Sequence, residues 1–158
     1  MKVIPFIAAG LLAFACGTKK NAETGEVMPD KNKTTPVTKE VVKVTAAIGD
    51  FAKSSDAIQI DTVEVRGNIL YIDVTYSGGC EEHDFEVIGS PMIAKSMPPI
   101  RAIQLVHHAN GDTCREQKSI KLEVYIDELA YQKEVGSEIY LNLEGWKERI
   151  YYKYALSN

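Results

Sequence analysis

From Val41 onward, apolar and polar residues alternate in short segments, which is the period-two pattern of β-strands with one buried face. The clearest segment covers residues 120–127, where every second residue is Ile, Leu or Val. Gly67 lies in a turn sequence between two such segments, so a β-hairpin is predicted there. The other predicted strands cover residues 58–65 (with a slip of register), 69–76, 83–88, 103–107, 139–143 and 150–156.

About seven such strands, without an amphipathic helix of three turns or more, predict an all-β fold. Residues 127–131 are expected to form only one short helical turn. Antiparallel sheets packed face to face, in a β-sandwich of about 100–120 residues, fit the spacing of the strands. A small β-barrel is the alternative, since the alternation alone does not separate the two architectures.

The first forty residues have a different pattern. Lys2 precedes an uncharged apolar run over residues 3–15, which is shorter than the roughly 20 residues of a membrane-spanning helix and fits a secretory signal. Residues 17–40 are polar, contain Pro29 and Pro36, and have no apolar period, which is typical of a flexible linker. We therefore divide the chain into a signal peptide (1–15), a modified cysteine with its linker (16–40) and a β-sandwich domain (41–158).

The composition is that of a globular protein: 45% of the 158 residues are hydrophobic and 25% are charged. The 18 Lys and Arg against 22 Asp and Glu give a net charge of −4. A nucleic-acid-binding function that depends on a basic surface is therefore not expected.

Small residues lead into Cys16 at the end of the apolar run, in the sequence LAFACG at residues 12–17. This leader resembles the lipobox of bacterial lipoproteins, in which the cysteine receives a diacylglyceryl group before cleavage on its N-terminal side. Ala15 matches the family pattern, whereas Ala13 stands where the family usually has Leu. The resemblance implies lipidation of Cys16 and attachment to a membrane of the cell envelope, expected to be the outer membrane on its periplasmic side or surface. The alternative is an ordinary cleaved signal in which Cys16 has no role.

The chain has three cysteines, an odd number that needs an explanation in an exported protein. If Cys16 carries lipid, Cys80 and Cys114 remain, and the oxidising envelope favours a disulfide between them. Both lie beside turn sequences that allow neighbouring chains to approach closely.

All three histidines lie in the same stretch of sequence as these two cysteines. Cys80 and His83, with His107 or His108 and Cys114, have ligand types that a tetrahedral zinc site requires. The competing interpretation, which we favour, makes His83 and His107 histidines at the edge of the core with hydrogen bonds to the backbone.

A second metal hypothesis keeps the disulfide. In it, zinc or copper is held by histidines with Asp84 or Asp112. Because adjacent residues of a strand point to opposite faces, His107 and His108 are not expected to hold one metal together.

Two segments of this region, SGGCEEHDF at residues 77–85 and HHANGDTC at residues 107–114, look like a family signature. With the leader, they resemble small uncharacterised lipoproteins of Gram-negative envelopes. This resemblance implies the location and transfers no activity.

We find no nucleophile paired with a base, and no pair of convergent acids, in the sequence. We therefore expect a non-catalytic binding or structural module without a cofactor, with an enzyme of unrecognised type as the last alternative. Its partner beyond the membrane is expected to be a protein or a glycan. Aromatic residues near the C-terminus, such as Trp146 and Tyr151, suit contact with either partner, but we favour the interpretation that they reflect the strand propensity of aromatic residues.

Overall fold

The computed structural model describes residues 39–156, so the predicted signal peptide, Cys16 and almost all of the predicted linker lie outside the described residues. Within that range the chain forms nine strands and one short 3-10 helix. The elements are β1 (Glu40–Thr45), β2 (Ala47–Ile48), β3 (Gln59–Arg66), β4 (Ile69–Ser77), β5 (Asp84–Ala94), β6 (Ile100–His108), β7 (Gln117–Tyr125), the 3-10 helix (Asp127–Leu129), β8 (Glu138–Leu143) and β9 (Ile150–Lys153).

The strands form two sheets, ordered β1-β7-β4-β3 and β2-β5-β6-β8-β9. The predicted all-β sandwich is confirmed, and the two sheets do not close into the small barrel that was the alternative. The β3–β4 hairpin and the helical turn also lie where the sequence predicted them, and the slip of register is a bulge between Ile60 and Thr62.

The sheets are mixed, which differs from the purely antiparallel pairing that we expected. The pairs β1–β7, β2–β5 and β6–β8 are parallel. The alternation of side chains sets which face of a strand is buried, but it carries no information on strand direction. β1 and β2 were not assigned from the sequence; they lie beside strands far along the chain, and their residues are mostly exposed.

The core lies between the sheets and consists of the alternate apolar residues of the predicted strands. Leu70, Ile72, Leu122, Ile139 and Leu141 have no solvent exposure. Burying each such side chain contributes about 1.5–3 kcal/mol relative to leaving it in water. Among residues 39–156, no helix has the length and apolar character needed to cross a membrane.

One edge of the sandwich is shaped by a chain crossover at Ala46. The Ala46 N–H donates to the Tyr125 carbonyl (2.9 Å) in the first sheet, and the Gly49 N–H donates to the Gly89 carbonyl (3.2 Å) in the second. β1 and β5 therefore converge at this crossover and run in the same direction, because β2 continues β1 and is parallel to β5. Away from the crossover, no strand of the described part of the chain lies between β1 and β5, and we call this edge open.

Candidate functional site

A disulfide joins the two loops at the open end of this edge. Cys80 follows β4, Cys114 precedes β7, and their sulfur atoms are bonded with the Cα atoms 6.0 Å apart. This is the pairing predicted from the sequence. It connects the loop that enters β5 to the loop that leaves β6.

The Asp112 carboxylate holds both loops around the disulfide. Its Oδ2 atom accepts hydrogen bonds from the backbone N–H groups of Gly79 (2.7 Å), Cys80 (2.9 Å) and Glu81 (3.1 Å). Its Oδ1 atom accepts one from the Cys114 N–H (2.7 Å). These donors, chiefly the N–H groups of Cys114 and Cys80, lower the pKa of the carboxyl far below its ordinary value. Asp112 is therefore ionised and its acceptor sites are occupied.

His83 connects this carboxylate to His107. The His83 Nε2 atom lies 3.2 Å from Asp112 Oδ2, and its Nδ1 atom lies 2.7 Å from His107 Nε2. The His83 side chain is only 2% exposed. Asp112, His83 and His107 thus form one buried hydrogen-bonded row. We call this row and the adjoining disulfide the clamp. Both nitrogens of His83 thus bond to side chains, whereas we expected hydrogen bonds to the backbone.

His107 is the innermost member of the clamp, with 1% exposure. Burial is the main cause that lowers the pKa of its ring, and the neighbouring His83 adds to the effect. Its Nδ1 atom makes no hydrogen bond of good geometry with residues 39–156, although the nearby main chain of Ala57 and Asp56 favours the charged form and partly opposes the shift.

Aromatic rings and a glycine enclose the histidine pair. The Phe85 ring stacks on His107 with centroids 5.2 Å apart, and the Tyr76 ring lies 4.6 Å from that of His83. Gly78 has a φ of +156°, and a Cβ atom there would lie 2.5 Å from the His83 ring. The glycine is required because any side chain at this position would displace the ring from Asp112.

The structure brings together five of the seven residues proposed as metal ligands and separates the other two. Cys80, Cys114, Asp112, His83 and His107 form the clamp. His108 lies on the opposite face of β6, with its Nε2 atom 3.0 Å from Glu86 Oε1, and Asp84 accepts a hydrogen bond from the Asn110 amide.

This arrangement does not fit the proposed metal sites. Within residues 39–156, ligand atoms of Cys80, Asp112 and Cys114 lie within 4.8 Å of one another, but the two sulfurs are bonded to each other and are not thiolates. The alternative of a Cys₂His₂ zinc site is therefore incompatible with this structure. The second metal hypothesis, which keeps the disulfide, also does not fit. His83 and His107 are in contact, but Asp84 is bonded elsewhere and the Asp112 carboxylate is already occupied by hydrogen bonds.

A groove lies beside the clamp, along the open edge between β1 and β5. Two adjoining depressions of about 370 Å³ and about 390 Å³ share Val42, His83, Asp84 and Phe85 in their walls. Val44, Val87 and Ile88 also line the first, which ends at Ala47 near the crossover, so much of the wall is apolar. The second is at the open end, where Glu40 of β1 faces Glu81 and Glu82 of the disulfide loop.

Main-chain groups on both sides of the groove have no strand partner among residues 39–156. Because Ala46 turns its N–H toward β7, the alternate residues Lys43 and Thr45 turn theirs away from β7, toward the groove. Gly89 turns its carbonyl toward β2, so Phe85 turns its main-chain groups to the same side, and β2 pairs only with Ile88 and Gly89. The sequence did not predict this groove, because β1 was not assigned and the order of the strands could not be derived from it.

Comparisons with known proteins support the fold. No family model and no curated protein matches the sequence. Among solved structures, a NigD-like immunity protein from Bacteroides caccae is similar, with a TM-score of 0.52 and 18% identity, covering 71% of this chain and 59% of that chain. A DUF1344 protein of unknown function from Bacteroides vulgatus has a TM-score of 0.47 and 16% identity, covering 75% of this chain and 59% of that chain.

A putative toxin-related protein from Parabacteroides distasonis has a TM-score of 0.44 and 17% identity, covering 70% of this chain and 60% of that chain. The chain thus spans about three-fifths of the length of these structures. At such low identity the likeness concerns architecture alone. The chain shares its all-β fold with the NigD-like immunity protein.

Proposed function

We propose that this protein is a lipid-anchored cell-envelope protein whose β-sandwich binds another protein without catalysing a reaction. The observation that carries the proposal is the groove between β1 and β5, which offers main-chain edges on both sides and apolar side chains at its base. Exposed strand edges are sites at which another polypeptide can add a strand. Because pairing with a strand edge requires a polypeptide main chain, the groove favours a protein over a glycan as the partner.

The clamp supports a structural role for the only cluster of reactive residues that the sequence indicated. Within residues 39–156, its carboxylate and both nitrogens of His83 are engaged in hydrogen bonds, and its sulfurs are bonded. A general base needs an accessible atom within reach of a substrate proton, which these atoms do not offer. The NigD-like immunity protein that shares the fold is not described as an enzyme either.

Attachment to the membrane is supported by the leader and by Cys16. A single acyl chain binds a membrane only reversibly, whereas two or more give durable anchoring. The polar segment between Cys16 and β1 would separate the domain from the lipid surface.

Cell fractionation tests the anchor. We expect the unaltered chain in the membrane fraction and the Cys16→Ser variant in the soluble fraction, with a substitution at the exposed Glu148, Glu148→Gln, as the control that keeps all three cysteines. Equal partitioning of Cys16→Ser and the unaltered chain would refute lipidation.

Photo-crosslinking in intact cells tests binding of a protein. A photoreactive residue replaces Glu82 beside the groove in the full chain, and the control carries it at the exposed Glu148. A protein adduct that forms from position 82 and not from position 148 supports the proposal. Adducts of equal yield from both positions, or none from either, would contradict it.

A further inference from the structure

We infer that the groove between β1 and β5 takes an extended, positively charged segment of the partner protein, which pairs its main chain with the free edge of β1. This inference rests on the proposed function and adds the chemistry of the partner. A strand added to a sheet lies about 4.8 Å from its neighbour, so a segment that pairs with the edge of β1 would lie in the groove that Val42, Lys43 and Thr45 line.

The free edge of β1 supplies the hydrogen-bonding groups. β1 pairs with β7 along all six of its residues, and no other strand within residues 39–156 pairs with it. Lys43 and Thr45 turn their N–H and carbonyl groups to the groove. On the other side, Phe85 offers the same groups from β5, beyond the reach of β2. A segment in this groove would therefore have a hydrogen-bonding strand edge on either side.

The charges at the open end of the groove select a basic segment. Glu40, Glu81 and Glu82 line this end, and within residues 39–156 none of them forms an ion pair. The Lys118 ammonium in the same wall is already 3.3 Å from Glu116. Lys43 is the remaining cation of the groove, so carboxylates predominate. The same carboxylates oppose a second copy of this chain, because its β1 edge would bring like charges together.

The clamp fixes the position of these carboxylates. Asp112 binds the backbone N–H groups of Gly79, Cys80 and Glu81, and the disulfide connects the same loop to Cys114. The loop that carries Glu81 and Glu82 is thus held in place before a partner arrives, which reduces the entropy lost on binding.

Fluorescence anisotropy with a labelled peptide tests the inference on the full chain in detergent micelles. The probe is an eight-residue peptide, blocked at both ends, that alternates Lys with Val or Thr; its controls carry Glu for each Lys, or N-methyl groups at alternate main-chain nitrogens. We expect only the unmodified lysine peptide to bind, and its affinity to fall as salt increases from about 0.1 M to about 1 M. Absence of binding up to about 1 mM peptide would overturn the inference.

Protein variants locate the contact. Glu81→Gln with Glu82→Gln should weaken binding by about three- to tenfold. Glu144→Gln with Glu148→Gln removes the same charge from another part of the surface and should leave binding unchanged. An equal loss in both double variants would show attraction to the net charge alone and would overturn the inference.

The role of the strand edge is tested at Lys43. Lys43→Pro removes an N–H that faces the groove and is not bonded to β7, whereas Lys43→Ala keeps it and removes the same charge. We expect Lys43→Pro to bind the peptide about fivefold less tightly than Lys43→Ala. Because proline also restricts the backbone, the N-methylated peptide gives the same test on the unaltered protein. Equal binding of the N-methylated and unmodified peptides would overturn strand pairing.

Two other occupants of the groove are outcomes of the same experiment. If the peptide binds only after residues 17–36 are deleted, the chain's own segment fills the groove and the inference is wrong. If the full chain dimerises and the peptide does not compete, a second copy fills it and the inference is again wrong. Either result leaves the proposed function intact if the photoreactive residue at position 82 still forms a protein adduct in cells. If that adduct does not form and the chain is not attached to the membrane, the proposed function is itself wrong.

Discussion

Removal of the disulfide is the perturbation whose size follows most directly from the structure. The bond joins residues separated by 34 positions. On the chain-entropy relation, closing a loop of about 35 residues lowers the entropy of the unfolded chain and raises its free energy by about 4 kcal/mol at 25 °C. Domains of ordinary stability unfold at a cost of about 5–15 kcal/mol, so this bond is expected to supply a large part of the total. The variant that tests it is Cys80→Ser with Cys114→Ser.

Urea unfolding of the full chain, followed by circular dichroism, measures the effect. With an m value of about 2 kcal/mol/M, a loss of about 4 kcal/mol lowers the unfolding midpoint by about 2 M. The unaltered chain in excess dithiothreitol should give the same midpoint as the double variant. Cys16→Ser is the matched control and should unfold at the unaltered midpoint, because Cys16 precedes the β-sandwich domain that the sequence predicts.

Two results would refute this account of the disulfide. A loss below about 1 kcal/mol would mean that the reduced loops are already held together by other contacts, foremost those of Asp112. An equal loss in Cys16→Ser would mean that the cysteines are not divided as we propose.

Three further predictions concern the clamp. The pKa values of Asp112 and His107 are both lowered in the folded protein, so the unfolded chain binds more protons at low pH. The free energy of unfolding should therefore be highest above about pH 6.5 and decrease below that pH as the His107 ring becomes protonated. It should decrease again below about pH 4 as the Asp112 carboxylate becomes protonated. Urea midpoints across this range check the prediction, and a midpoint independent of pH would contradict it. Gly78→Ala should destabilise the domain more than Gly67→Ala, because a Cβ atom would contact the His83 ring at position 78 and has nothing within 4 Å at position 67. Thermal unfolding of both variants measures the difference. A larger loss of stability in Gly67→Ala would refute the steric argument. The oxidised full chain should bind neither zinc nor copper stoichiometrically, because Cys80 and Cys114 are bonded to each other and His83 is hydrogen-bonded to His107. Elemental analysis checks this prediction. One metal ion per chain that is lost in His83→Ala would restore the metal-site hypothesis.

The strand positions could be predicted because burial of one face imposes a period of two on the sequence. Residues 120–127 illustrate this, since Ile120, Leu122, Val124 and Ile126 are all buried in the core. The partners of each strand were not predictable, because alternation is the same for parallel and antiparallel neighbours. β1 was missed since its residues are half-buried or exposed and leave a weak pattern.

The membership of the site was predictable in large part, but its chemistry was not. The number of cysteines, the expected export and the turns beside Cys80 and Cys114 indicated the disulfide, and the position of His83 beside it indicated a cluster. The sequence could not show that Asp112 accepts four backbone hydrogen bonds, because three of those donors come from a loop more than thirty residues away. An Asn-Gly-Asp turn before a cysteine was the available signal, since aspartate in turns often accepts local backbone hydrogen bonds.

The division of the three cysteines is the central claim: we propose that Cys16 carries the lipid, while Cys80 and Cys114 hold the loop beside the groove. Intact mass of the chain isolated from membranes, measured before and after reduction, tests it in one experiment. We predict a chain that begins at Cys16, carries the added mass of acyl groups on that residue and gains about 2 Da on reduction. A chain without acyl groups, or one whose mass does not change on reduction and whose Cys80 and Cys114 react as free thiols, would contradict the account.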